Sequence, residues 1–177
     1  DKGGMAVVSL PEAQLTEILR PFGNSVQVAA INTADSFTLA GDAKALRAIV
    51  QRCKQQRGLA KMLSLPYPFH TDAMDAIQHG LIESLKGIRP RKTKIPFFST
   101  AVPEVGRGLL LDNEYWWNNI RRPVLFHKAA QNALRHGFEL FMEIGPRPLL
   151  ASYLRDISRE ANRRLAFIPT LTNGGDE

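Results

Sequence analysis

The sequence predicts an α/β chain, and three observations carry that expectation. Strand-like and helix-like stretches alternate along it, and its first 65 residues follow the order β-α-β-β-α-β. Further on, a nearly continuous apolar run at 138–144 (FELFMEI) has the pattern of a strand buried on both faces of a sheet.

Residues 5–10 (MAVVSL) form a short β-rich run closed by Pro11, which suits the first turn of a helix. Leu15, Ile18, Leu19 and Phe22 then recur at three- and four-residue steps, predicting an amphipathic helix that ends near Pro21-Phe22-Gly23. Residues 26–32 (VQVAAIN) and 36–40 (SFTLA) read as a hairpin around Thr33-Ala34-Asp35. Asp42 caps a second helix, whose apolar stripe is Leu46, Ile49, Val50 and Cys53. Gly58 closes that helix, and residues 59–65 (LAKMLSL) return as a strand. This order is the split βαβ, ferredoxin-like unit, in which two helices cover one face of a four-stranded antiparallel sheet. It assigns residues 1–65 to a small unit and 66–177 to a second one.

In the second unit, Met74, Ile77, Leu81, Ile82 and Leu85 mark the buried face of a helix capped by Thr71 or Asp72. Residues 95–100 (IPFFST) read as a strand. Asn113 starts a helix through Tyr115-Trp116-Trp117, and Pro123 opens another through Leu125, Ala129, Ala133 and Leu134. After the 138–144 strand, Gly145-Pro146 breaks the pattern. A helix with Leu149, Leu150, Tyr153, Leu154 and Ile157 follows, then a last strand at 165–171. These few strands need cover on both faces, and the helices at hand barely suffice. The chain also opens directly on a strand. It is therefore expected to be cut from a longer polypeptide or to be one piece of a cleaved one, with the polar tail 172–177 leading to a linker or a further domain.

A length of 177 residues accommodates one or two compact units with a real core. No apolar run approaches the roughly 18 residues needed to span a bilayer. The start of the chain lacks the basic and apolar regions of a signal peptide. One cysteine, Cys53, excludes an internal disulfide and any cysteine-based zinc cluster, and it reads as a small core residue. A reducing cytoplasm is the expected location. The excess of 23 Lys+Arg over 17 Asp+Glu, a net charge of +6, favours acidic partners. No nucleic-acid-binding signature accompanies it. The basic residues are spread through Arg89, Arg91, Lys92, Lys94, Arg121, Arg122, Arg155, Arg159, Arg163 and Arg164, most of them on an ordinary solvated surface.

His70 stands apart from the other histidines by its setting, Leu65-Pro66-Tyr67-Pro68-Phe69-His70-Thr71-Asp72, where a strand gives way to a helix. Imidazole, with an ordinary pKa near ~6.5, can take a proton from a hydroxyl at neutral pH and return it to a leaving thiolate. To act as a base it needs one ring nitrogen fixed by a hydrogen bond. His79 and His127 fall within helices, and His136 suits a helix C-terminus. No ligand set for a metal is present in the pattern, so none is expected. The eight serines are Ser9, Ser25, Ser36, Ser64, Ser84, Ser99, Ser152 and Ser158, and none lies in Gly-x-Ser-x-Gly. Ser25 comes closest, in a helix-to-strand context that runs the wrong way. This chain by itself should not turn over.

Three blocks carry a family resemblance: the His70 run, Tyr115-Trp116-Trp117-Asn118-Asn119-Ile120-Arg121-Arg122-Pro123-Val124-Leu125-Phe126, and Phe141-Met142-Glu143-Ile144-Gly145-Pro146. In that order and spacing, with Asn32 and Gly41-Asp42 also matching, nearly the whole chain resembles the second half of the acyltransferase domain of polyketide synthases and malonyl-CoA:acyl-carrier-protein transacylases. The resemblance implies a ferredoxin-like small subdomain followed by the C-terminal portion of an α/β-hydrolase-like large subdomain. It implies ping-pong acyl transfer by a Ser-His pair. His70 would be the general base, oriented by the backbone carbonyl of Asn119, four positions before Pro123. The nucleophilic serine, the oxyanion segment and the arginine that pairs with a malonyl carboxylate would lie outside this chain. Tyr67, Phe69 and Asn32 would be the substrate-binding residues. Phe69 beside the histidine resembles malonyl-selective members, whereas Tyr67 and Pro68 depart from the usual forms of that block. No permanently bound cofactor is implied; the substrates would be acyl-CoA and the phosphopantetheine of an acyl carrier protein. That carrier, the missing N-terminal half and flanking synthase domains are the expected partners, with neither nucleic acid nor membrane among them. Two alternatives remain at this point: a non-catalytic module that docks a carrier protein, and an acyl-thioester hydrolase.

Overall fold

The structure is a computed structural model that describes residues 3–102, 105–106 and 110–171. The tail expected at 172–177 lies outside the described residues. The first unit follows the predicted order: β1 (Gly4–Ser9), α1 (Glu12–Leu19), β2 (Val26–Ile31), β3 (Ser36–Gly41), α2 (Ala43–Gln55) and β4 (Leu59–Met62). The sheet runs β2-β3-β1-β4 with every pairing antiparallel.

Alternation along the strands sends Ala6 and Val8 of β1 and Phe37 and Leu39 of β3 towards the helices. There they meet Leu15 and Ile18 of α1 and Leu46, Ile49 and Cys53 of α2 in one continuous core. Cys53 is fully buried, and burial pushes its thiol above the ordinary value, as suits a packing residue. The residue with left-handed backbone after α2 is Arg57 (φ 62°), one place before the glycine expected to close the helix.

Asp42 caps α2 as predicted, its carboxylate accepting from the Ala45 N–H at 2.7 Å. That bond satisfies one of the free donors of the first helical turn. Asp42→Ala is expected to lower stability by about 1 kcal/mol in a urea or thermal melt, and Asp42→Ser to recover most of it.

The second unit departs further from expectation. A 3-10 turn, Asp72–Ile77, with Thr71 as its cap, leads into α3 (Gln78–Ser84). Met74, Leu81 and Ile82 are partly covered and Ile77 is exposed, so the face predicted to be buried is not. Strand pairing around residue 97 is short, β5 (Phe97–Phe98) with β6 (Val105–Gly106). Helix α4 (Asn113–Arg121) begins at the predicted residue, capped by Asp112 through the Tyr115 N–H at 2.9 Å. Helix α5 (Phe126–Arg135) begins three residues later than Pro123. Pro123 and Val124 instead lie outside the helix, and Val124 forms a parallel bridge with Ala30 of β2.

Strand β7 (Leu140–Glu143) is followed by α6 (Ala151–Glu160) and β8 (Ala166–Pro169), and among the described residues β7 pairs with β8 alone, in parallel. Phe141 and Phe167 face a cluster formed by Ala130 and Leu134 of α5 with Leu154 and Ile157 of α6. On the other face, Leu140, Met142 and Ile144 are 60%, 58% and 86% exposed. Burial on both faces is therefore not met within the described residues, where helices cover one face. No helix of the described residues is long and apolar enough to cross a membrane.

Candidate active site

His70 occupies a turn between β4 and the 3-10 segment, with left-handed backbone at φ 61°. A non-glycine residue rarely adopts this conformation, which costs on the order of 1–3 kcal/mol and persists where surrounding contacts enforce it. Pro66 and Pro68, each fixed in φ, restrict the approach to the turn. The imidazole Nδ1 lies 2.9 Å from the backbone carbonyl oxygen of Arg122. A carbonyl can only accept, so in the neutral ring Nδ1 carries the proton and donates it. Nε2 is left with a free lone pair, the form a general base requires.

Two opposed effects act on the ring. Burial disfavours the cation and is the larger; the Arg122 carbonyl favours it. The net result is a pKa below the ordinary value. Between the folded and unfolded pKa values the folded chain thus binds fewer protons than the unfolded one. The contribution of His70 to stability is present above the unfolded value and lost as pH falls through the folded one.

The carbonyl that orients His70 belongs to Arg122, correcting the expectation of Asn119. Asn119 lies inside α4, where its carbonyl runs along the helix axis. Arg122 is the C-cap, with φ −86° and ψ 157°. Pro123 has no N–H to continue the helix, and it pushes the residue before it into extended geometry. That turn swings the Arg122 carbonyl out of the helical ladder. Arg122 is held at two further points, its N–H donating to the Asn118 carbonyl at 2.9 Å and its Nε to Asn118 Oδ1 at 2.7 Å.

Bonds from several elements hold the two halves of this pair together. The Val124 N–H donates to the Ala29 carbonyl at 2.8 Å, the Ile31 N–H to the Val124 carbonyl at 2.9 Å, and the Leu125 N–H to the Thr100 carbonyl at 2.7 Å. Thr100 follows Ser99, whose buried hydroxyl lies 3.0 Å from that of Tyr115 in α4. On the His70 side, Arg121 Nε donates to Asp75 Oδ1 at 2.6 Å, and the Asp72 N–H to Gln27 Oε1 of β2 at 3.3 Å. Strand β2 thus anchors both the turn and the carbonyl.

Tyr67 and Phe69 stand beside His70 with their rings tilted 43° and centroids 5.8 Å apart. They are 46% and 41% exposed, an open apolar surface in the segment that leads into His70. Asn32 is buried, and its amide donates to Thr38 Oγ1 at 3.1 Å within the hairpin. It follows Ile31, whose N–H donates to the carbonyl of Val124, two residues after Arg122. A cleft of about 400 Å³ opens behind the turn, lined by Gly3, Ser25, Gln27, Gly41, Pro68 and Thr71 among others; Tyr67, Phe69 and His70 do not line it. At its edge Pro68 presses on Gly3, where a Cβ would fall 3.0 Å from the proline ring.

The geometry fixes one imidazole nitrogen on a main-chain acceptor and leaves the other without a proton. Residues 1–177 match the family described as acyl transferase domain. The chain belongs to that family. Mycoketide-CoA synthase of Mycobacterium tuberculosis is 30% identical over 175 residues, which are 97% of this chain and 4% of that polypeptide. Polyketide synthase GfsB of Streptomyces halstedii is 33% identical over 156 residues, 88% of this chain and 3% of its own length. Among solved structures, the acyltransferase domain from module 8 of the salinomycin polyketide synthase superposes with a TM-score of 0.91 at 28% identity, over 97% of this chain and 40% of that one. The acyltransferase domain of the polyketide synthase PpsC of Mycobacterium tuberculosis gives 0.88 at 25% identity, over 98% of this chain and 54% of its own. The chain therefore spans about half of those two solved chains, and a small part of the synthases it matches.

Proposed function

We propose that this chain supplies the general base of a polyketide-synthase acyltransferase, which moves a malonyl group from CoA to the phosphopantetheine thiol of an acyl carrier protein. The observation that carries this reading is the His70 Nδ1 bond to the Arg122 carbonyl, which leaves Nε2 free to accept. In the first half-reaction a serine hydroxyl gives its proton to Nε2 while its oxygen attacks the thioester carbonyl. The C–S bond breaks, and the CoA thiolate takes the proton back from the imidazolium. In the second, the carrier thiol gives its proton to Nε2 and its sulfur attacks the acyl-serine ester. The C–O bond breaks, and the serine oxygen takes the proton back from the imidazolium.

The serine is placed in a segment outside these 177 residues. The absence of Gly-x-Ser-x-Gly from the sequence supports this, as does the open apolar face of β7 and β8, which that segment would cover. On this reading residues 1–65 are the small subdomain and 66–177 part of the large one, within a cytoplasmic multidomain synthase. Phe69 supports malonyl over branched extenders, because its bulk beside His70 occupies the space an α-methyl group needs. Tyr67 completes that wall.

Intact-mass measurement of the complete synthase polypeptide tests the substrate. After incubation with equal malonyl-CoA and methylmalonyl-CoA, the malonyl adduct is expected to dominate and to be lost on adding phosphopantetheinylated carrier protein, with malonyl appearing on the carrier. A dominant methylmalonyl adduct would overturn the substrate assignment. Loss of the adduct to free malonate, with none on the carrier, would make the protein a hydrolase. The rate of adduct formation should rise with pH, since the neutral ring is the active form. Its midpoint should fall below ~6.5, with the plateau reached by neutral pH. A midpoint above that value would contradict the position of His70.

A further inference from the structure

We propose that Thr71 is a positioning residue, whose hydroxyl clamps the turn that carries His70 and so sets the angle of the imidazole. The inference rests on His70 being the base, as proposed above. Thr71 is 2% exposed. Its Oγ1 donates to the Pro68 carbonyl at 2.7 Å and accepts from the Ala73 N–H at 3.3 Å, bridging the chain on either side of His70. Its own carbonyl accepts from the Met74 N–H at 3.1 Å.

Thr71 joins Pro68 to Ala73 across the one residue of the turn whose backbone is left-handed. Strain of that kind relaxes unless neighbouring bonds over-determine it. The Arg121–Asp75 pair is partly exposed and so contributes little holding force. The Asp72–Gln27 bond is exposed to solvent. The Thr71 bonds are made by a buried group, where a lost partner leaves a polar atom unsatisfied. Thr71 touches neither the imidazole nor Arg122 in any of these bonds, and its effect on His70 runs through the backbone.

The test uses the complete acyltransferase with malonyl-CoA, comparing wild type with Thr71→Val, Thr71→Ser and His70→Ala. Valine keeps the branched shape and removes both hydroxyl bonds; serine restores them. Thr71→Val is expected to acylate about 10- to 100-fold more slowly, the scale of a misaligned group, with KM for malonyl-CoA little changed. Thr71→Ser should lie within about threefold of wild type, since it keeps both bonds. NMR of ¹⁵N-labelled histidine should show His70 losing its single tautomer in Thr71→Val and regaining it in Thr71→Ser. A Thr71→Val enzyme with the wild-type rate and tautomer, while His70→Ala is inactive, would overturn the role of Thr71 and leave the base assignment standing. Wild-type acylation by His70→Ala would overturn the base assignment and this inference with it. Should Thr71→Val not fold, Thr71→Ala carries the same comparison.

Discussion

His70→Ala is expected to slow acyl-adduct formation by about 10²- to 10⁴-fold, the range over which a positioned acid–base group acts. The loss should appear in both half-reactions, because the same Nε2 would take the serine proton in the first and the carrier thiol proton in the second. Rapid-quench mass measurement resolves the two. Stability should change little, since the ring is only partly buried and hydrogen-bonds a main-chain carbonyl that solvent can satisfy in its place. A thermal melt close to wild type beside a large loss of rate separates chemistry from folding. Equal loading by both proteins would reduce His70 to a structural residue.

Gly41→Ala carries the largest expected effect on stability, about 3 kcal/mol or more. Gly41 ends β3 with φ 150°, and an added Cβ would lie 2.2 Å from the Ser25 carbonyl oxygen and 2.8 Å from the Val26 Cα. Both atoms are backbone, so neither can rotate away. Either β2 must part from β3 at the Val26–Gly41 pair, or the Asp42 N–H must give up its 2.8 Å bond to Ser25. Strain and a displaced strand end act together. Gly80 is the control: it lies in α3 with nothing within 4 Å of a built Cβ, and Gly80→Ala should be neutral or stabilising by up to about 1 kcal/mol. Urea titration of the two variants should move their midpoints in opposite directions or leave the Gly80 variant unmoved. Equal midpoints would contradict the close approach at Gly41.

The ferredoxin-like half was legible in the sequence because its periods are clean. The α2 stripe of Leu46, Ile49, Val50 and Cys53 repeats at helical spacing, and Ala6 and Val8 of β1 and Phe37 and Leu39 of β3 lie two residues apart on the face towards the helices. The position of His70 between a strand and a helical segment was legible from its block. The group that orients it was not placed correctly, because spacing finds a helix and cannot say which carbonyl leaves it. The signal was present in Pro123, which forces Arg122 out of the ladder. The Ala30–Val124 bridge left no trace in the pattern, since a single parallel bridge between distant segments has no period. The run at 138–144 shows a different gap. Its apolar character encodes two covered faces, and the described residues supply cover for one.

On the proposed function, His70 is a neutral imidazole with its proton held on Nδ1 by the Arg122 carbonyl. Histidine ¹⁵N NMR of the complete acyltransferase across pH, with His70 assigned by its absence in His70→Ala, tests this directly. A single Nδ1–H tautomer is expected at neutral pH, with Nε2 unprotonated and a titration midpoint below ~6.5. An Nε2–H tautomer, or a mixture of the two with an ordinary midpoint, would contradict it.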